Sequence, residues 1–190
     1  MTFIPGVRDP GDVNLSESGI MSKDRQSVTE SGEAVTPRIL GLVTRRLTTI
    51  EDGRGEIVEF YRLKWGVHAD PLVYVYGVSV RPKAIKGWIV HESQDDRIAV
   101  LNGVLHWAFF DNREDSPSYR MLNTFTFSEK NRTLFTIPRG VFHAVQNIGT
   151  TDAYFVNMPT RPYDHADPDK YRLPIKNDLI PYDFSGINRG

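Results

Sequence analysis

Short runs rich in Val, Ile, Tyr, Phe and Thr follow one another from Ile39 to Met158, separated by Gly, Pro, Asn and Asp. This pattern is typical of antiparallel strands joined by tight turns. Asn102-Gly103 lies between two such runs and predicts a tight hairpin, because both residues tolerate positive φ. No helical period of ten or more residues competes, so we expect an all-β domain. The candidate strands are 41–49, 57–64, 72–80, 84–91, 97–102, 104–111, 121–127, 134–137, 141–147 and 153–158.

The two ends of the chain differ from this central region. Residues 1–36 are rich in Ser, Glu, Asp, Gly and Pro and show little periodicity, which predicts a flexible N-terminal arm. Residues 37–165 make up the predicted β domain. Residues 166–190 have an irregular, proline-containing sequence, and we expect them to be a flap across the mouth of the domain or a dimer contact.

Composition limits the chemistry that the chain can perform. With 190 residues and a net charge of −1, the chain has no electrostatic reason to recruit nucleic acid or an anionic membrane. The absence of cysteine excludes disulfides and thiolate sites, which leaves His, Asp and Glu as acid-base groups or ligands. No apolar run approaches the roughly 20 residues of a membrane helix, and the start lacks the order of a signal peptide. We therefore expect a cytoplasmic protein.

One motif places a histidine within the β domain. Residues 138–147 have the sequence P-R-G-V-F-H-A-V-Q-N. The proline and glycine favour a tight turn, and His143 follows in a strand that can face the interior. This spacing resembles the second motif of the cupin barrels. The resemblance implies an antiparallel jelly-roll β-barrel with irregular N- and C-terminal arms.

Three segments resemble one cupin family more closely. They are D-G-R-G-E-I-V-E at 52–59, D-N-R-E-D-S-P-S-Y at 111–119, and the stretch 128–143 that leads into the histidine motif. In this order they are similar to segments of the dTDP-4-dehydrorhamnose 3,5-epimerase family, over roughly residues 45–180.

The family resemblance implies a function. Its members bind a nucleotide-linked 4-keto-6-deoxy sugar and invert carbons beside the ketone, without a cofactor or metal. A histidine held by an aspartate removes the proton, a tyrosine supplies one on the other face, and Arg and Lys side chains hold the diphosphate. Relatives are usually homodimers that exchange N-terminal strands, so we expect Arg54 to serve the pocket of a second copy.

Both proton-transfer positions differ from the family pattern. The family segment R-G-L-H-Y-Q aligns with residues 86–91, so Lys86 replaces the arginine and Ile89 stands at the position of the base. His91 lies two residues further along, and alternate residues of a strand share a face, so it can point into the same cavity. Asn157 stands at the position of the acid tyrosine, and asparagine does not transfer a proton at neutral pH.

These correspondences predict a site. The predicted catalytic residues are His91, His143 and Asp178, of which Asp178 resembles the aspartate that orients the base. The predicted substrate-binding residues are Arg54, Glu59, Tyr74, Tyr76, Lys86, Arg97 and Asn157. Arg54 and Glu59 could instead be a surface pair across two strands. His143 could instead be a structural histidine that hydrogen-bonds to a backbone carbonyl.

Two other functions use the same barrel. Part of the first cupin motif is also present. His91 is followed by four residues and Asp96, and then by six residues and Gly103. Together, His91, Asp96 and His143 would supply two imidazoles and one carboxylate, the ligand set of Fe, Mn or Zn cupins. The other alternative is a catalytically inactive cupin that binds a sugar nucleotide without converting it.

Overall fold

The computed structural model of the chain describes residues 26–32 and 35–186. The chain divides after Pro37 into two units. In the first unit, the backbone amide of Gly32 closes a turn by donating to the carbonyl of Thr29. Most of the predicted arm, residues 1–36, lies outside the described residues. The second unit begins at Arg38 and contains both large sheets.

Strands dominate the second unit. They are β1 (Thr44–Arg46), β2 (Thr49–Asp52), β3 (Gly55–Val58), β4 (Tyr76–Val80), β5 (Ile85–Val90), β6 (Asp96–Asn102), β7 (Val104–Asp111), β8 (Leu122–Ser128), β9 (Thr133–Ile137), β10 (Val141–Asn147), β11 (Ala153–Asn157) and β12 (Tyr171–Arg172). Short 3₁₀ helices cover Leu63–Trp65, Glu129–Asn131 and Phe184–Gly186. No helix among the described residues is long and apolar enough to cross a membrane.

The strands form two five-stranded antiparallel sheets and a separate hairpin. Sheet 1 has the order β1-β9-β6-β11-β4, sheet 2 has the order β12-β5-β10-β7-β8, and β2 pairs with β3. The sheets pack face to face, since the ring of Trp107 in sheet 2 lies 5.1 Å from the rings of Phe135 and Phe155 in sheet 1. The predicted all-β jelly roll is confirmed. Among the described strands no ladder joins the edges of the two sheets, so the jelly roll consists of two packed sheets and is not a closed barrel.

The interior strand β7 of sheet 2 is buried on both faces. In β7, Phe109 points into the core between the sheets, whereas Ala108 and Phe110 point to the outer face. The outer face is covered by the C-terminal segment, whose Ile180 and Phe184 are buried against it. This contact explains why β7 is almost continuously apolar instead of alternating.

The described part of the predicted C-terminal segment, residues 166–186, packs along sheet 2 of its own chain. Strand β12 pairs with the edge of β5, and the indole Nε1 of Trp88 donates to the carbonyl of Ile175. The ring of Phe184 lies 5.7 Å from that of Trp88. Burial of apolar surface, at roughly 25 cal/mol per Å², is the physical reason for this placement.

The observed strands differ most from the predicted ones between residues 41 and 75. The predicted strand 41–49 is divided into β1 and β2, and the predicted strand 57–64 ends at Val58 before a 3₁₀ helix. Gly66 ends that helix with a φ of 66°, and residues 72–75 form no strand. Local turn chemistry outweighed the apolar pattern in this region.

The predicted hairpin at Asn102-Gly103 is a tight turn, but the two strands that it joins do not pair with each other. Gly103 has a φ of 81°, as the dipeptide predicted, but β6 and β7 belong to different sheets. A Cβ at Gly103 would lie 2.4 Å from the Cβ of Ala153, so only glycine fits this crossing. The turn therefore links the two sheets.

The family-like segment 111–119 stabilises the fold. The carboxylate of Asp111 accepts hydrogen bonds from the side chains of Arg113, Ser116 and Ser118. Burial raises the pKa of Asp111, but these hydrogen bonds hold it well below its ordinary value. Arg113 also donates to the carbonyl of Leu40. The segment thereby holds Leu40, which precedes the first strand of sheet 1, in place.

Candidate active site

A cavity opens between the two sheets. Its walls come from β4, β6 and β11 of sheet 1 and from β5, β7 and β10 of sheet 2. Half of its twelve lining residues are Val, Ile, Phe or Trp. The polar lining residues are Tyr76, Lys86, His91, Asp96, His143 and Asn157.

Three buried side chains converge in this cavity. His91 directly follows β5, His143 lies in β10, and Asp96 begins β6 in the opposite sheet. The Nε2 atoms of His91 and His143 lie 3.4 Å and 3.7 Å from Oδ2 of Asp96. The two imidazole centroids are 5.6 Å apart, and one donor atom from each of the three residues lies within 4.8 Å of the others. Both predicted histidines thus occupy one site.

Backbone carbonyls orient both imidazoles. Nδ1 of His91 donates to the carbonyl of Asp169, and Nδ1 of His143 donates to the carbonyl of Val141 at 3.3 Å. Because a carbonyl only accepts, each Nδ1 carries a hydrogen, and Nε2 of the neutral ring keeps a free lone pair. Both lone pairs are on the side of Asp96. The site therefore offers two potential bases next to one carboxylate.

The two histidines differ in their affinity for a proton. Burial lowers the pKa of His91, but the hydrogen bond and charge of Asp96 outweigh it, so this pKa lies above its ordinary value. Burial lowers the pKa of His143 to about 4, although Asp96 opposes the shift. Burial raises the pKa of Asp96, but His91 and His143 more than reverse that effect. At neutral pH, His143 is uncharged and His91 is the stronger base.

A phenol faces this cluster from sheet 1. Tyr76 and Asn157 are directly paired between β4 and β11, and Nδ2 of Asn157 donates to the Tyr76 hydroxyl at 2.8 Å. Burial and the charge of Asp96 raise the pKa of Tyr76 to about 12, so the phenol stays protonated. In the described part of the chain, Oδ1 of Asn157 and Nε1 of Trp107 are buried without a hydrogen-bond partner. These atoms can bind a polar molecule in the cavity.

Comparison with known proteins assigns the chain to a family. A family model described as dTDP-4-dehydrorhamnose 3,5-epimerase matches residues 36–176. This chain belongs to that family. The assignment agrees with the resemblance predicted from the three sequence segments.

The chain is similar to proteins of several organisms. A probable low-salt glycan biosynthesis epimerase of Haloferax volcanii is 34% identical over 156 residues, covering 81% of this chain and 99% of the relative. A spore coat polysaccharide biosynthesis protein of Bacillus subtilis is 30% identical over 104 residues, covering 55% of this chain and 69% of the relative. The crystal structure of a dTDP sugar isomerase from Desulfovibrio desulfuricans superposes with a TM-score of 0.73 at 26% identity, covering 78% of this chain and 93% of the other.

Ile89 is the residue that the motif resemblance aligns with the base of the epimerase family. Ile89 lies directly across from His143 in the ladder between β5 and β10. Ile89 and His91 both line the cavity, in agreement with the shared face of alternate strand residues. Ile89 therefore has two histidines near it, His91 two residues along the chain and His143 across the ladder.

Arg97 corrects a prediction about substrate binding. Its side chain is fully buried, and its guanidinium donates to the carbonyls of residues 70, 71, 158 and 159 and to the hydroxyl of Tyr61. Every nitrogen of the guanidinium has a partner, so none remains for a ligand. The guanidinium of Arg97 therefore joins distant segments of the fold and has no N–H left to donate to a ligand.

Asp178 also lies away from the position predicted for it. It is exposed in the C-terminal segment and does not line the cavity. The carboxylate beside His91 is that of Asp96, which reaches across from sheet 1. A sequence alignment cannot show this substitution, because the two aspartates lie on different elements.

The predicted nucleotide-contacting residues lie outside their own chain's cavity. Arg54 is in the turn of the β2–β3 hairpin and pairs with Asp52, and Glu59 pairs with Arg62. Neither Arg54 nor Glu59 lines the cavity. Tyr74 is half-buried beside the cavity, with its ring 5.4 Å from that of Tyr76.

Sequence reasoning missed Asp169. Its carbonyl accepts the hydrogen bond of His91, and its carboxylate accepts from the backbone amides of residues 92, 93 and 94. Asp169 thus holds the loop that joins His91 to Asp96. Asp169 lies two residues before β12, and that strand is only two residues long, so no sequence pattern identifies it.

Proposed function

We propose that this chain is a sugar-nucleotide epimerase that acts by proton transfer beside the ketone of a dTDP-4-keto-6-deoxy sugar. One observation supports this proposal above the others: a member of the epimerase family has two buried imidazoles and a carboxylate meeting in its inter-sheet cavity. This arrangement suits removal of a weakly acidic C–H proton, which requires a positioned base.

His91 is the proposed base. Its Nδ1–H is held by the carbonyl of Asp169, so the Nε2 lone pair takes the proton as the C–H bond breaks. The bonding electrons pass to the ketone oxygen, forming an enolate. Asp96 stabilises the imidazolium that results, since its Oδ2 lies 3.4 Å from Nε2. His143 adds a neutral imidazole on the same wall.

Tyr76 is the proposed proton donor. His91 and His143 belong to sheet 2, whereas Tyr76 belongs to sheet 1, so the phenol and the bases lie on opposite walls. Inversion requires that a proton leave one face of the carbon and return to the other. Asn157 donates to the Tyr76 oxygen and would stabilise the phenolate after transfer.

Solvent exchange tests this function. The native protein is incubated in deuterium oxide with several dTDP-4-keto-6-deoxy sugars, and deuterium at the carbons flanking the ketone is measured by NMR. We expect incorporation together with inversion at one or both carbons. Binding of the sugar nucleotides without any exchange would support the inactive binding cupin instead.

The pH dependence of exchange is expected to depend on Asp96. Because the pKa of His91 is raised, its base form predominates only above that pKa, so the rate rises with pH through it and then levels off. In Asp96→Asn the charge that raises this pKa is lost, so the rise moves to lower pH and the plateau falls about tenfold or more.

The control for this measurement is Asp178→Asn, which removes an exposed carboxylate that resembles the family's base-orienting aspartate. It should leave the pH profile unchanged. If the pH profile shifts in Asp178→Asn and stays native in Asp96→Asn, then Asp178 and not Asp96 orients the base.

We also propose that the protein forms a homodimer through the β2–β3 hairpin. Ile50 and Ile57 are paired across this hairpin and are 67% and 69% exposed, which favours a contact with another surface. Arg54 and Glu59 on and after the hairpin would then reach the partner's cavity. Analytical ultracentrifugation tests this proposal, since a monomer at micromolar concentration would contradict it.

A metal-dependent cupin is the second candidate function. The donor atoms of His91, Asp96 and His143 lie within 4.8 Å of one another, and each Nδ1 is held by a carbonyl, as is common for metal-bound histidines. These residues fit a divalent Fe, Mn or Zn ion. Such an ion would polarise a carbonyl oxygen as a Lewis acid.

Metal analysis separates the two candidates. Protein purified without a histidine tag is measured by mass spectrometry for bound metal, and exchange is assayed before and after chelation. The proton-transfer proposal predicts full activity in chelated protein. A stoichiometric metal that is required for exchange and is lost in His143→Asn would support the metal-dependent cupin.

A further inference from the structure

Gln94 is a buried polar residue that has no part in the sequence motifs or in the proton transfer described above. Its side chain is 8% exposed, and its Nε2 donates to Oδ1 of Asp96 at 3.1 Å. The pKa of Asp96 is lowered by the neighbouring histidines, so its carboxylate is ionised at neutral pH and only accepts hydrogen bonds. The amide nitrogen of Gln94 must therefore face it, in a charge-assisted hydrogen bond.

The two oxygens of the Asp96 carboxylate have different partners. Oδ2 lies 3.4 Å and 3.7 Å from Nε2 of His91 and His143, whereas Oδ1 accepts from Gln94. The last torsion of an aspartate side chain has a broad energy minimum, so an unrestrained carboxylate can rotate. A donor at Oδ1 restricts this rotation and keeps Oδ2 directed at the imidazoles. Gln94 does not line the cavity, so it acts on a bound molecule through Asp96.

The loop that carries Gln94 is itself held in place. It crosses from sheet 2 to sheet 1 between β5 and β6. The backbone amides of residues 92, 93 and 94 donate to the carboxylate of Asp169, and that of residue 95 donates to Oγ1 of Thr160. A loop whose backbone amides are all bonded has little freedom to move, so the side-chain amide of Gln94 is preorganised for its carboxylate.

We propose that Gln94 is a positioning residue that fixes the Asp96 carboxylate for proton transfer by His91. This role rests on the proposed function, because the orientation of Asp96 affects the reaction only if His91 is the base. Proton transfer charges the imidazole, and a carboxylate that is oriented beforehand stabilises this charge without reorganising. An amide suits the task, since it donates a hydrogen bond but does not itself take up the proton.

Solvent exchange with a dTDP-4-keto-6-deoxy sugar, measured over a range of pH and substrate concentration, tests this role in Gln94→Leu. Leucine is similar in size but cannot donate, so Oδ1 of Asp96 loses its partner. We expect turnover to fall about tenfold at every pH, with KM unchanged. Variants of Gln94 leave unchanged the ionisable groups that interact with the charge of Asp96, which are His91, His143, Tyr76 and Lys170.

Gln94→Glu provides a conservative replacement that can be switched by pH. A protonated carboxyl donates to Asp96 as the amide does, whereas an ionised one repels it. The introduced carboxyl has a raised pKa, because two carboxylates in contact resist being ionised together. We expect this variant to exchange like the native protein below that pKa, and to fall below the native rate as the pH rises through it.

Gln146→Leu is the matched control, because Gln146 is a half-buried glutamine of β10 that does not line the cavity. It should exchange like the native protein. Nitrogen NMR of the imidazoles adds a measurement that needs no activity, with the His91 resonances assigned through His91→Asn. At neutral pH, the Nε2 shift of His91 should change in Gln94→Leu and stay native in Gln146→Leu.

Native turnover together with a native His91 shift in Gln94→Leu would overturn the proposal. Equal loss of activity in Gln94→Leu and Gln94→Glu at every pH would also overturn it, since the loss would then be structural. The proposed function fails separately. If native protein shows no exchange but the His91 shift changes in Gln94→Leu, then Gln94 still orients Asp96 and only the reaction is wrong.

Discussion

Replacing His91 with asparagine is expected to reduce the rate of solvent deuterium exchange by about 10²- to 10⁴-fold, the range that a general base contributes. Asparagine can still donate to the carbonyl of Asp169, so the loop is expected to keep its conformation. It has no lone pair basic enough to accept the proton. The buried Asp96 would also lose the cation that stabilises its charge. Exchange is measured by NMR with saturating sugar nucleotide.

Two further variants make this result specific. His165→Asn changes an exposed histidine outside the cavity and should exchange at the native rate. Tyr76→Phe removes the proposed proton donor but leaves the base, so exchange should persist while inversion of the carbon is lost. Native exchange in His91→Asn, with dTDP binding intact, would exclude His91 as the base and point to His143.

Replacing Arg97 with methionine is expected to reduce the free energy of unfolding by roughly 3–5 kcal/mol, the cost of breaking a fully buried polar network. The guanidinium is 0% exposed and donates to four backbone carbonyls. Methionine fills a similar volume but leaves those carbonyls without a donor. Urea unfolding at neutral pH, followed by tryptophan fluorescence, measures the change.

The matched control is Arg54→Met, since the Arg54 side chain is 91% exposed and pairs only with the neighbouring Asp52. Exposed ion pairs contribute little, so this variant should unfold at nearly the same urea concentration as the native protein. Equal stability of Arg97→Met and native protein would contradict the structural role. It would also reopen the prediction that Arg97 contacts substrate.

Strand composition predicted most of the fold correctly. The strands Val104–Asp111 and Val141–Asn147 were predicted with their observed bounds, because long β-branched and aromatic runs have few alternatives. The region from 41 to 75 was predicted less well, since glycine and proline turns divide it. The assignment of β6 and β7 to different sheets was also missed, because a tight turn does not specify which strands will pair.

The candidate site was predicted in part. The resemblance to the cupin and epimerase motifs indicated His143 and the region of His91. Strand periodicity then favoured His91, because alternate residues share a face. The partner of His91 was assigned to Asp178 from family order, whereas the structure places Asp96 there.

The amino-acid sequence alone determined an all-β chain, because periodicity and local turn chemistry are properties of neighbouring residues. Its three motif segments also resembled the epimerase family. Only the tertiary structure decided which groups meet. It placed Asp96 of sheet 1 against two imidazoles of sheet 2, and buried Arg97 among carbonyls from distant segments. Those contacts depend on how two sheets pack, which is a sum of many weak interactions between residues far apart in the chain.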